Sequence, residues 1–363
     1  KRAYAVIPAA AAVGAAAGPI IGGFLTTFLT WRLGFLMEVL VVIFILVMHA
    51  RIKDSPFEGT PPKFDFAGLA LSATGLGILV YGIILAGTYG FFKCRVPYTV
   101  AGKEILAVGS VSPTVLFTTA GLVILAAFAW WEVFRHGRGH DTLINPKLFR
   151  NLAVVCGAST NLFQYFLMTG VMFSLCLFLQ VVLGYSAFLT GLTILPLSIT
   201  LFVMAIAGAR LSRRYDPKRI LQVGFLIMIA GAALLGLGMG DRVNGWDFLP
   251  SFLVLGTGLG MVASQINEIE QSAVSSEEAG ETSGLNYTAQ NLGASLGTAV
   301  AGALIAVFVV GQGRVTPASQ TKAVGLDMVL LAVLAILGFL VTLGLPDRKQ
   351  GEEVSSGVPT GPG

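Results

Sequence analysis

The sequence predicts an all-α, polytopic membrane protein, and three observations carry that prediction. Of 363 residues, 55% are hydrophobic and only 12% charged, where soluble domains carry about a quarter, and the mean hydropathy is +0.81. Apolar runs long enough to cross a bilayer core of roughly 30 Å recur from one end of the chain to the other. The basic residues are confined to the gaps between those runs, so the net charge of +4 reflects membrane topology and not a nucleic-acid surface.

In chain order, apolar runs fall at 4–28, 33–50, 65–88, 112–133, 153–179, 187–210, 219–240, 248–267, 286–310 and 325–345, which makes about ten transmembrane helices. With Lys1 on the cytoplasmic side, sixteen basic residues fall in inside segments and seven in outside ones. That bias has the sign of the positive-inside rule and places both ends of the chain in the cytoplasm. Tyr89 to Val111 forms the longest external loop, rich enough in aromatic and apolar residues to lie in the membrane interface. The stretch 351–363 is mainly Gly, Pro and Ser with two glutamates, and the tail 346–363 is expected to be a disordered cytoplasmic segment. Lys1 and Arg2 lead straight into a span too long for a signal peptide and without a cleavage site, so further chain is expected before Lys1.

Cys94, Cys156 and Cys176 are too far apart for a metal motif, and we expect neither a metal nor a cofactor. His49, His136 and His140 sit at or beside span ends, and no serine–histidine–acid set or phosphate loop occurs, which argues against an enzyme.

The first span holds Gly14, Gly18, Pro19, Gly22 and Gly23. Glycines every fourth residue line one helix face, where the missing side chains allow a second helix to approach, and Pro19 deletes a backbone hydrogen bond on the same stretch. The pattern Gly14-x-x-x-Gly18-Pro19-x-x-Gly22-Gly23 resembles the antiporter signature of the major facilitator superfamily, on the fifth span of its drug:proton exchangers. Trp31, Arg32 and Phe35 resemble the turn that follows it. Asp65 and Gly68 look like the start of the two central spans that distinguish the fourteen-span antiporters from twelve-span relatives. Leu179, Gln180, Gly184, Ser186, Gly191 and Pro196 are similar to the first turn of the family's second half. Gly208, Leu211, Arg213, Arg214, Lys218 and Arg219 resemble a degenerate copy of the superfamily's cytoplasmic gate-like loop, with Ser212 where an Asp is expected.

This resemblance, over residues 4 to 345, implies a major facilitator fold from the fifth to the fourteenth span, the first four being absent. The implied division is a remnant of the N-terminal bundle in 1–50, two central spans in 51–150, a complete C-terminal six-helix bundle in 151–345, and the tail. Transport in this superfamily is a rocking of one half against the other around a site between them.

Several side chains suit such a site. Glu38 lies inside the second span, where an unpaired carboxylate costs several kcal/mol and a protonatable carboxyl is what proton coupling needs; alternatively it reaches water at the outer interface or pairs with Arg32. Asn161, Gln164, Met168 and Met172 share a helix face with Tyr165 beside it, a mixture suited to a cavity for varied amphipathic molecules or, for the amides, to hydrogen bonds between helices. In the ninth span Asn286, Gln290, Gly293 and Gly297 share a face, with the glycines expected to pack and the amides to line. Glu268, Glu270, Glu277, Glu278 and Glu281 form an acidic cluster before that span; Ser275 with Glu278 fits a capping box, and the rest suit a solvated face or a partner for the basic loop.

The expected function is proton-coupled export of amphipathic or cationic drugs by a multi-pass protein of the cell's inner membrane, with the lipid bilayer, protons and a small amphipathic substrate as partners and a monomer at full length. Export of an endogenous metabolite by the same mechanism, and a truncated non-transporting membrane protein, are the alternatives.

Overall fold

The structure, a computed structural model, describes residues 14, 17–49, 64–100, 102–140, 142–212, 214–240, 243–272, 274, 279–310 and 317–345. Its helices are α1 (Ala17–Phe28), α2 (Arg32–His49), α3 (Phe66–Tyr89), α4 (Pro113–Gly137), α5 (Leu152–Leu177), α6 (Ala187–Leu211), α7 (Pro217–Leu237), α8 (Leu249–Ser272), α9 (Ala279–Val310) and α10 (Pro317–Leu343). Among the described residues, eight helices are long and apolar enough to cross a membrane. The expected tail and the Ser275–Glu278 capping box lie outside the described residues.

Local chemistry sets several helix starts. Asp65, Ser112, Asn151, Ser186 and Asp216 each stand just before a helix and accept a hydrogen bond from a first-turn N–H, and Pro113 and Pro217 occupy the first helical position, where no N–H is needed. α5 runs on through a π-helical turn, Phe178–Val182, and the chain then reverses at Gly184, whose φ of +67° favours glycine. Helices α9 and α10 begin at Ala279 and Pro317, earlier than the apolar runs at 286 and 325, because their first turns are polar and hydropathy does not register them.

The loop after α3 departs from the all-helical expectation. Tyr98–Val100 (β1) pairs antiparallel with Lys103–Leu106 (β2), and a bridge joins Lys93 to Val111. The hairpin is anchored where the Ser112 hydroxyl donates to Gly90 O at 2.6 Å.

α5 to α10 form the core. α5 packs on α9 and α10, α8 on α6 and α7, and α7 on α10, around fully buried Phe178, Phe225, Phe248, Phe252 and Met228. Glycines set the close approaches. A Cβ on Gly293 or Gly297 of α9 would strike the carbonyls of Leu162 or Phe166 on α5, so both glycines pack as the sequence predicts, and one on Gly231 of α7 would lie 2.6 Å from the Leu255 backbone of α8. α3 and α4 form a hairpin of their own, close at Gly82 and Gly121, which leans on the bundle where Gly87 comes 3.6 Å from Ala303 Cα of α9.

α1 reaches the bundle along one line. Gly191 of α6 faces the Pro19 carbonyl, Gly23 faces Ala187, the Phe188 N–H donates to Thr27 Oγ1 at 3.0 Å, and Phe24 and Phe28 meet the Phe188 ring. The packing face is therefore not the one carrying the glycine repeat. Among the described residues, nothing lies within 4 Å of where a Cβ on Gly14, Gly18 or Gly22 would be. Within the described residues, Pro19 and Gly23, about a quarter turn round the helix, are what meets the small residues that α6 offers. α2 buries none of its residues.

Candidate functional site

The candidate site is a polar seam along α5. Asn161 donates from its amide to Asn286 of α9, with both side chains buried. One turn on, Gln164 Nε2 donates to Leu259 O of α8 at 3.4 Å, and its Oε1 is buried without a partner. Thr169 Oγ1 lies 2.8 Å from its own helix at Tyr165 O and 2.9 Å from Ala294 O of α9. At the far end Ser174 donates to Asp327 Oδ2 of α10. The four polar side chains thus tie α5 to α8, α9 and α10 in turn. With no water in the hydrocarbon to compete, hydrogen bonds of this kind fix which helices are neighbours.

Of the two alternatives for the amides, the structure places Asn161, Gln164 and Asn286 between helices, not on an open cavity wall. Tyr165, Met168, Met172 and Gln290 are half-buried, and Met168 and Met172 pack against the buried core. Their chemistry is soft and adaptable, apolar surface with one hydroxyl and one amide.

Glu38 is exposed on α2. Its alternative partner is engaged elsewhere, with the Arg32 guanidinium 5.2 Å from the centre of the Trp31 ring. Arg213 lies outside the described residues. Arg214 and Arg219 are exposed and Lys218 is half-buried at the start of α7, where Asp216 accepts from the Lys218 N–H at 3.0 Å. Ser212 is buried and its hydroxyl donates to Ala209 O at 3.0 Å, a local cap in place of the expected acid. In the acidic cluster Glu281 is exposed, and the side chains of Glu268, Glu270, Glu277 and Glu278 lie outside the described residues.

Two buried carboxyls, Asp327 and Glu132, escaped the sequence reading. Asp327 has no exposed surface, and its Oδ1 has no partner; its signal was available, since it is the single charged residue between Lys322 and Asp347. At the base of the α3–α4 hairpin, Asp65 accepts from Gly68 N at 2.9 Å and Trp131 Nε1 at 3.0 Å and pairs with Arg135 at 3.3 Å. Glu132, 4% exposed, accepts from Ile144 N at 3.1 Å and so ties the hairpin to the segment before α5. The two carboxyls converge over Gly68, where a Cβ would lie 2.6 Å from Glu132 Oε1 and 2.7 Å from Asp65 Oδ2. Sequence spacing alone did not bring 65 and 132 together.

Residues 1–298 match the family model described as Major Facilitator Superfamily. The chain is 30% identical over 278 residues to the "Probable actinorhodin transporter" of Streptomyces coelicolor, covering 76% of this chain and 45% of that one. It is 28% identical over 283 residues to the "Multidrug resistance protein B homolog" of Mycobacterium tuberculosis, covering 76% and 47%. To the "Cephamycin export protein CmcT" of Amycolatopsis lactamdurans it is 28% identical over 355 residues, covering 95% and 66%. The chain therefore spans about half the length of the first two of these relatives.

Proposed function

The chain belongs to the major facilitator superfamily, and from that premise we propose that it acts in its native membrane as a secondary transporter exporting small amphipathic or cationic compounds, driven by protons moving inward. The breadth of the likeness carries this reading. Relatives named for multidrug resistance, actinorhodin transport and cephamycin export each align over three quarters or more of this chain. In this reading half-buried Tyr165, Met168 and Met172 of α5 and Gln290 of α9 are assigned to an adaptable substrate surface.

In this proposal α1 and α2 belong to the first half, α3 and α4 are the two central spans of a fourteen-span architecture, and α5–α10 are the second half. The line of contact between Pro19 and Gly23 on α1 and Gly191 and Ala187 on α6 is where the halves meet, and rocking along it would carry the substrate across. The end of the bundle bearing Arg135, Arg210 and Lys218 faces the cytoplasm of a cell with the protein in its inner membrane. Glu38 is a candidate for holding the coupling proton or a cationic substrate, and the working unit is a monomer.

The names of the actinorhodin and cephamycin relatives, each a single compound, favour a second reading in which one endogenous metabolite is exported. Uptake into inverted vesicles under an imposed pH gradient, acid inside, tests both. Drug export predicts gradient-driven movement of several unrelated amphipathic cations. Movement of one metabolite only would replace it with the second reading, and no gradient-driven movement of any solute would overturn proton-coupled export. Glu38→Gln is expected to weaken the gradient-driven flux while leaving the amount of protein unchanged; an unchanged flux would remove Glu38 from the mechanism.

A further inference from the structure

Asp327 is a buried ionisable group that the residues considered so far leave without a role. It stands nearly three turns into α10, beside Val324, Met328 and Leu331, all fully buried. Its Oδ2 accepts the Ser174 hydroxyl from α5, and its Oδ1 is buried with no partner. Among the described residues the salt bridge present is Arg135 to Asp65, so no Lys or Arg neutralises Asp327.

Among the described residues, the surroundings are otherwise without charge at that level. α7 presents Gly236, whose Cβ would lie 2.9 Å from Met328 Cβ, and the π turn presents buried Phe178. α5 contributes Ser174, with Cys176 two residues on. The charged or titratable groups that α7 and α9 carry, Lys218, Arg219, Glu281 and Tyr287, stand at the opposite ends of those helices, and Lys322 on α10 itself is exposed. A carboxylate in such a place, with one donor for its roughly four lone-pair sites, forgoes most of the hydrogen bonds it would have in water.

We propose that Asp327 and Ser174 form a proton-exchange site between α5 and α10, serving the coupling step of the transport reading on which this inference rests. The chemistry is a single O–H bond made and broken. A proton taken from water adds to Oδ1, the oxygen with no other partner, and is later returned to water, while Ser174 donates to Oδ2 in both states. Because Ser174 and Asp327 belong to different helices, gain or loss of that proton changes the strength of the tie between α5 and α10, since a hydrogen bond to a charged oxygen is roughly twice as strong as one to a neutral acid.

The test is an infrared spectrum of the purified full chain in detergent, in water and heavy water over a pH series, which reads protonated carboxyls whether or not the protein transports. The expected result is a carboxylic-acid carbonyl band that exchanges with solvent, loses intensity as pH rises, is missing in Asp327→Asn, shifts in frequency in Ser174→Ala, and persists in Glu132→Gln. A pH-dependent carboxyl spectrum identical in wild type and Asp327→Asn overturns the site. If Asp327→Asn does not fold, Ser174→Ala decides, and an unmoved band overturns the proposal. In vesicles, gradient-driven efflux by Asp327→Asn should fall about tenfold or more while exchange of substrate without a gradient continues. An equal loss of both fluxes overturns the coupling role, whereas absence of flux in the wild type overturns the transport reading and leaves the infrared result to decide the site.

Discussion

Helices α2 and α7 are nearly equal in hydropathy and opposite in burial. α7 buries half of its span in the bundle, and α2 buries nothing. The two also differ in side-chain size. α7 carries Gly224, Gly231 and Gly236, each within reach of a neighbouring helix, whereas α2 has Gly34 alone, with no described residue near it, in a run of Leu, Val, Ile and Phe on every side. In a bilayer, lipid tails are as apolar as leucine, so apolarity decides that a helix resides in the membrane and small residues decide which helices touch.

Breaking α7's contacts should have the largest effect. Gly231→Leu drives a side chain into the Leu255 backbone, which cannot yield; we expect a loss of about 3 kcal/mol or more, read as loss of the monodisperse peak and of thermal protection. Next comes the α1–α6 line. Gly191→Leu should push α1 away from α6 at a cost of about 1–3 kcal/mol while α5–α10 stay folded, so a disulfide between cysteines placed at Thr27 and Phe188 should no longer form. Its persistence would mean that α1 is held by something other than this line.

Asn161→Leu removes the donor to Asn286 Oδ1. Interhelical hydrogen bonds in membranes are worth about 0.6 kcal/mol on average, so a small drop in melting temperature is expected, partly recovered when Asn286→Leu is added. The smallest effect belongs to the open faces, where Gly34→Leu in α2 and Gly18→Leu in α1 should each change stability by less than about 0.5 kcal/mol. A large loss from Gly18→Leu would show that the 14–18–22 face packs against something in the membrane, and the contrast drawn here would have to be given up for α1.

Much of the architecture was legible because a span announces itself locally. Each expected apolar run from 33–50 onward has a helix on it, and the packing of Gly293 and Gly297 followed from their spacing. What failed was pairing at a distance. The glycine repeat of α1 has two faces rich in small residues, and the one that docks is chosen by Gly191, over 160 residues later. The amides of α5 were readable as polar but not as bonded, since Asn286 and Leu259 belong to other helices. Asp327 was visible as a lone charge in an apolar run, and it gained a chemical identity only when Ser174 came to meet it. The β1–β2 hairpin is three and four residues a side, too short for alternation to stand out.

The α3–α4 hairpin is closed at both ends, by Asp65 with Trp131 and Arg135 at one and by Ser112 with Gly90 at the other. All of those partners lie within one stretch of chain that leaves the ribosome before α5 begins. The hairpin can therefore enter the membrane already paired, with Asp65 and Arg135 crossing from the translocon to lipid as a neutralised couple instead of as two bare charges. The remaining helices then find a finished wall waiting for them, and a lesion at Asp65 should be felt first as poor insertion during synthesis, before the rest of the bundle exists to compensate.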